Sequence, residues 1–161
     1  THTLRETIGD RAFYAAIRQL VYGRDKPKPG NFVPRTASTD DFRRIVERVA
    51  GKPMGWFFDA YFRIAALPKL VETRQGTTLK LAWQTAAKEP FAMPVEVEVD
   101  GKLVRVPMTA GKGSVRLPSP KAHVVLDPNA RILRYDPAID AWQKQEEDTK
   151  KKAAAAAKAK G

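Results

Sequence analysis

Three stretches near the start of the chain place apolar side chains at helical spacing. Phe13, Ala16, Ile17, Leu20 and Val21 fall at i, i+3, i+4, i+7 and i+8. Phe42, Ile45, Val46, Val49 and Ala50 repeat that spacing, and so do Met54, Phe57, Phe58, Tyr61 and Phe62. Each set covers one face of a predicted α-helix. Leu4 and Ile8, one turn apart, mark the end of an earlier helix, with Gly9 as its C′ residue and Asp10 as N-cap of the next. That next helix is predicted to reach about Tyr22 and stop at Gly23. Arg24 to Ala37 has no period and includes Pro27-Lys28-Pro29-Gly30, so it reads as a loop. Ser38 and Thr39 ahead of Asp40 and Asp41 form a helix start, because hydroxyl and carboxylate groups both suit the positive end of the helix dipole. Gly51 closes that helix near Ala50. Pro53 is placed to open a third, running to about Ala65.

From Pro68 the period changes to two. Leu79, Leu81 and Trp83 alternate, as do Val95, Val97 and Val99. Asp100-Gly101 follows, then Val104 and Val106. Both turn residues accept the positive φ of a type I′ turn, so a hairpin is predicted. The two-residue turn opposes Val99 to Lys102, Val97 to Val104 and Val95 to Val106, with the valines on one face. Further strands are expected near 69–75, 113–117 and 122–127. Short strands separated by turn signals predict a small antiparallel β-sandwich. The fold class is thus α+β: helices over residues 1–66, a β-sandwich over 67–136, and a polar tail over 137–161. After Trp142 the tail is built from Gln, Lys, Glu, Asp, Thr, Ala and a final Gly. It cannot make a core, and its Ala and Lys content favours a solvent helix or an unstructured tail.

Composition narrows the chemistry. The chain has no cysteine, which excludes disulfides and thiolate metal sites. Its formal charge is +11; residues 137–161 hold six Lys against four acids, which leaves +9 on the rest. Such an excess reads first as a soluble surface, and only second as affinity for an acidic partner such as nucleic acid or an anionic membrane. No apolar run approaches the ~18 residues of a membrane span. The first residues read as helix rather than as a secretory signal, so the chain is expected to begin mid-fold, as part of a longer parent. Localisation stays open.

The segments also resemble, in order, the closing part of the aminopeptidase N family of gluzincin metallopeptidases. Leu4-Arg5-Glu6-Thr7-Ile8-Gly9-Asp10-Arg11-Ala12-Phe13 resembles the helix pair after that family's active site. Thr39-Asp40-Asp41-Phe42 is similar to its next helix start, and Ala50-Gly51-Lys52-Pro53-Met54-Gly55-Trp56-Phe57-Phe58 to a later helix opening with paired aromatics. Ala66-Leu67-Pro68 resembles the exit from its catalytic domain. Leu81-Ala82-Trp83-Gln84 and Leu126-Asp127-Pro128-Asn129 resemble parts of the β-sandwich that follows. The likeness covers about residues 1–136.

The resemblance implies a peptidase that removes N-terminal residues with one zinc ion. In that family an H-E-x-x-H helix and a downstream glutamate hold the zinc, which lowers the pKa of its bound water. A Met-Glu-Asn segment holds the substrate amine, and a tyrosine steadies the oxyanion. None of these maps here. There is no H-E-x-x-H and no Met-Glu-Asn, and Tyr14 and Tyr22 do not match the tyrosine's context. The resemblance therefore implies no catalytic, cofactor-binding or metal-ligating residue in this chain. Its implied partner is the N-terminal catalytic part of the same enzyme, with peptide substrates reached through that part.

The remaining candidates have structural readings beside functional ones. His2 and His123 are the only histidines and have no partner at ligand spacing. Glu47, Asp59 and Glu72 stand alone, and Asp40-Asp41 is accounted for by its helix start. Gly111-Lys112-Gly113-Ser114 lacks phosphate-loop spacing and reads as a hairpin turn. No Gly-x-Ser-x-Gly occurs, which removes a serine hydrolase. Trp56, Phe57, Phe58, Tyr61 and Phe62 read as core, or as a face that normally packs on the catalytic domain. The alternative function is a noncatalytic adaptor whose basic tail touches anionic partners. A helical-repeat scaffold is disfavoured by the distinct loops.

Overall fold

A computed structural model describes residues 2–24, 26–28, 30, 33 and 35–158. Pro29 of the proline-rich loop, Thr1 and the last three residues of the tail lie outside them. The described residues form five helices and six strands. The helices are α1 (His2–Ile8), α2 (Asp10–Tyr22), α3 (Thr39–Ala50), α4 (Gly55–Phe62) and α5 (Pro137–Lys158). The strands are β1 (Lys69–Gln75), β2 (Thr78–Gln84), β3 (Val95–Val99), β4 (Lys102–Val106), β5 (Lys112–Arg116) and β6 (Val124–Leu126). They make two antiparallel three-stranded sheets, ordered β1-β2-β5 and β4-β3-β6. The architecture is α+β, as the change of period predicts. Among the described residues no helix is long and apolar enough to cross a membrane.

Local chemistry explains both ends of α3. Ser38 caps α3: its hydroxyl accepts from the Asp41 N–H, and its own N–H donates to the Asp41 carboxylate. This reciprocal box satisfies two donors that the helix leaves open. Gly51 ends α3 in the left-handed region at φ 65° and donates its N–H to the Glu47 carbonyl. Three boundaries differ from expectation. Gly9, not Asp10, precedes α2, at φ 81° and ψ 160°, a region essentially reserved for glycine. Asp10 is instead the first helical residue, and its carboxylate accepts two bonds from Arg5 at 2.8 and 2.7 Å. The fourth helix starts at Gly55 rather than Pro53, because the Glu47 carboxylate takes the Met54 N–H at 2.9 Å and holds that residue outside the helix. It ends at Phe62, short of Ala65.

The β3–β4 hairpin has the predicted register, with Val99 opposite Lys102, Val97 opposite Val104 and Val95 opposite Val106. Asp100 and Gly101 adopt φ 46° and 79°, as a type I′ turn requires. Val95, Val97, Val99 and Val106 are buried, but Val104 is 39% exposed. Its strand is the outermost of its sheet, and an open depression shared with Thr77, Leu117 and Pro118 lies beside it. On the other sheet, Leu79, Leu81 and Trp83 alternate inward.

One apolar cluster joins helices and sheets. It includes Leu4, Ala16, Phe42, Val46, Phe57 and Phe58 from the helical part, and Leu81, Trp83, Phe91 and Val97 from the sheet part. The segment after β6 then runs back across the junction. Asp127, 7% exposed and at φ 51°, accepts the N–H groups of Arg131 and Ile132 at 2.9 and 3.0 Å. Beyond that turn the Leu133 N–H donates to the Thr3 hydroxyl at 3.0 Å, and the Tyr135 N–H to the Pro68 carbonyl at 2.9 Å. α5 follows, with described side chains that are almost all exposed, among them Ile139 and Trp142.

Candidate functional site

The junction between helices and sheets is built from rings. Phe91, 1% exposed, meets Trp56, Tyr61 and Trp83 edge-on at centroid distances of 5.2, 5.5 and 5.1 Å. Edge-on contacts set the positive rim of one ring against the negative face of another. The Trp83 indole N–H donates to the Met93 carbonyl at 2.8 Å, and the Tyr61 hydroxyl to the Leu133 carbonyl at 2.7 Å. Burial, assisted by the nearby Asp127 charge, pushes the Tyr61 phenol well above its ordinary pKa. The cluster of aromatics in α4 is therefore mostly core. Phe57 and Phe58 are buried, Trp56 and Tyr61 are half-buried, and Phe62 is 47% exposed.

The other residues singled out in the sequence are dispersed. His2 is on the exposed side of α1, and His123 donates its backbone N–H to Asp100 at 2.8 Å. Glu47 accepts from Arg43 at 3.0 Å as well as from Met54. Burial opposes its ionisation, but the bonds from Met54, Arg43 and Gly55 outweigh it, and its pKa lies below the ordinary value. Asp40 and Asp59 both pair with Arg63. Glu72 is exposed on β1, opposite Leu81. Gly111 forms a tight turn with Ala110 that bridges Thr109 to Lys112, and Gly113 and Ser114 continue into β5. Among the described residues no group of three or more His, Asp or Glu is placed to hold a metal ion.

A feature not singled out in the sequence lies where α2 packs along α3. There the surface opens into a cleft of about 750 Å³. Among the described residues, Arg24, Arg35, Arg44 and Arg48 line it, against a single carboxylate, Asp41. Arg44 pairs with Asp41. Asp41 accepts first from the Ser38 N–H, then from the Ser38 hydroxyl and Arg44, and these bonds hold its pKa down at about 2. Gln19 positions two more guanidiniums. Its side-chain oxygen accepts from Arg48, and its main-chain carbonyl accepts from Arg35 at 3.0 Å. Gly23 makes room for that approach: a Cβ there would stand 2.7 Å from Arg35 Nη1. Ile45 and Val49, both half-buried, add apolar surface to the lining. The signal available in the sequence was the i, i+4 spacing of Arg44 and Arg48 within a basic chain. Nothing in the aperiodic loop marks Arg24 and Arg35 as their companions.

No protein-family model matches this chain, and no curated protein matches it.

Proposed function

We propose that this chain is the noncatalytic C-terminal portion of a zinc-dependent aminopeptidase. Its helices form the end of the catalytic domain, and its two sheets form the supporting sandwich. The reading rests on the segment resemblance, and one structural observation supports it. Four helices lead directly into two small sheets and are fastened to them by the Trp56–Phe91–Tyr61 rings and the Tyr61–Leu133 bond. Such an attachment suits a buttress, because it transmits position from the sandwich to the helices without a flexible linker. Tyr14, Val21 and Tyr22 on α2 remain exposed, and in this reading they pack on the catalytic part.

Zinc, which the resemblance implies, is assigned to the missing part because this sequence has no H-E-x-x-H. The metal and the hydrolytic step are assigned to the N-terminal part, with peptides reaching the assembly through it.

The test is the denatured mass of every polypeptide in a native preparation, followed by hydrolysis of aminoacyl anilides. A longer parent or a companion bearing H-E-x-x-H is expected, with activity that a zinc chelator removes. The isolated 17.9 kDa chain is expected to show no turnover. Turnover by that chain alone, or a native preparation containing only it, overturns the reading.

A further inference from the structure

We propose that the arginine cleft between α2 and α3 is a docking site for an acidic peptide segment, one that presents Glu or Asp side chains. The inference does not depend on the aminopeptidase reading. It starts from charge. Among the described residues, four guanidiniums share the cleft with one carboxylate. Gln19 orients Arg35 and Arg48 through neutral oxygens, and among the described residues neither cation forms an ion pair. Arg24 makes no ion pair among the described residues. Holding a guanidinium in advance lowers the entropy lost when it takes a carboxylate.

The lining selects the class of anion. Guanidinium forks accept carboxylate and phosphate alike. Ile45 and Val49 add apolar surface to the same lining, which suits the hydrocarbon stem of a Glu side chain and gives nothing to a bare phosphate. Arg44 already pairs with the Asp41 carboxylate in the cleft lining. The volume, about 750 Å³ and open to solvent, admits a short stretch of polypeptide rather than a single side chain.

The probe is a dye-labelled hexaglutamate peptide titrated with the full chain at fixed ionic strength, read by fluorescence anisotropy. Saturable binding is expected, weakened by added salt and absent for hexaglutamine. The double variant Arg35→Gln/Arg48→Gln should weaken binding by about tenfold, the loss of two exposed charge-assisted contacts. Arg24→Glu, at a loop side chain outside the helices, is a second variant expected to weaken it while leaving the circular dichroism spectrum unchanged. Replacing Lys150, Lys151 and Lys152 with Gln on α5 should leave affinity within about twofold, since any contribution there is diffuse surface charge. Three results overturn the proposal. They are absence of saturation, loss of binding in the α5 variant but not in the cleft variants, and displacement by pyrophosphate at lower concentration than by unlabelled hexaglutamate. The last would assign the cleft to phosphate ligands.

Discussion

Replacing Phe91 with alanine tests whether the helices and the sheets share one cooperative core. The ring is 1% exposed and contacts Trp56 and Tyr61 from α4 and Trp83 from β2. Removing it forfeits about 2–3 kcal/mol of transfer free energy. A residual cavity of roughly 100 Å³ adds about 2 kcal/mol where the walls do not collapse. Four rings interlocked edge-on have little freedom to close the gap, so a loss of about 4 kcal/mol is expected, within the range for buried Phe→Ala changes. For a chain of this size that lowers the melting temperature by about 8–16 °C. Phe91→Leu retains apolar volume but loses the ring contacts, and should cost only about 1–2 kcal/mol. The assay is urea unfolding followed by tryptophan fluorescence and by far-ultraviolet circular dichroism. Trp56 and Trp83 both lie against Phe91, whereas Trp142 is 57% exposed and reports little. Fluorescence weights the junction and dichroism weights the helices, so coincident transitions that shift together support a shared core. A loss below about 1 kcal/mol for Phe91→Ala, or a fluorescence transition that moves while the helical one stays, refutes the reasoning.

Other consequences follow from single contacts. Ser38→Ala removes the N-cap of α3 and should cost about 1 kcal/mol in denaturant unfolding. Asp41 has its pKa depressed to about 2 by Ser38 and Arg44, so its stabilising contribution is present above the ordinary carboxylate range and lost as pH falls through about 2. Melting curves of Asp41→Asn should therefore show a weaker acid dependence than the native chain. Tyr61 behaves in the opposite sense: its raised pKa makes its contribution complete below about pH 10 and lost at higher pH. Tyr61→Phe should flatten the alkaline side of the stability profile, and an unchanged profile would exclude that phenol as its source. Gly113→Ala places a Cβ 2.6 Å from the Pro107 carbonyl oxygen and 2.8 Å from Val106 Cγ1. Overpacking against backbone should cost about 2–3 kcal/mol in the same urea assay.

What could be read from the sequence was local. Asp100-Gly101 carries its own turn geometry, and once the turn is placed the pairing of Val97 with Val104 follows by counting. Ser38, Asp41 and Gly51 bound α3 because cap and stop chemistry act within a few residues. The start of α4 escaped the same logic. Pro53 suits a first helical turn, but the Glu47 carboxylate from the preceding helix captures the Met54 N–H and delays the helix to Gly55. Asp10 similarly has the composition of an N-cap, while the bidentate demand of Arg5 and the permissive backbone of Gly9 give the cap position to glycine. In both cases a side chain of a neighbouring helix outcompeted the local preference.

The cleft illustrates the same limit at longer range. Arg44 and Arg48 sit one turn apart on the solvent side of α3, an arrangement that in isolation describes an ordinary exposed helix face. Arg24 and Arg35 belong to a loop with no periodicity to interpret. Their convergence depends on α2 lying along α3, which the apolar stripes of both helices impose through Ala16, Phe42 and Val46. It also depends on Gly23, whose left-handed φ of 68° ends α2 and whose missing side chain lets Arg35 reach the Gln19 carbonyl. Gln19 then serves both sides, holding Arg35 through its main chain and Arg48 through its side chain. A neutral residue holding two cations on one cleft wall concentrates positive charge where helix packing alone would let it disperse. A fold indifferent to anions could meet its helix-capping needs with less charge, and that excess is the physical ground for assigning the cleft a ligand.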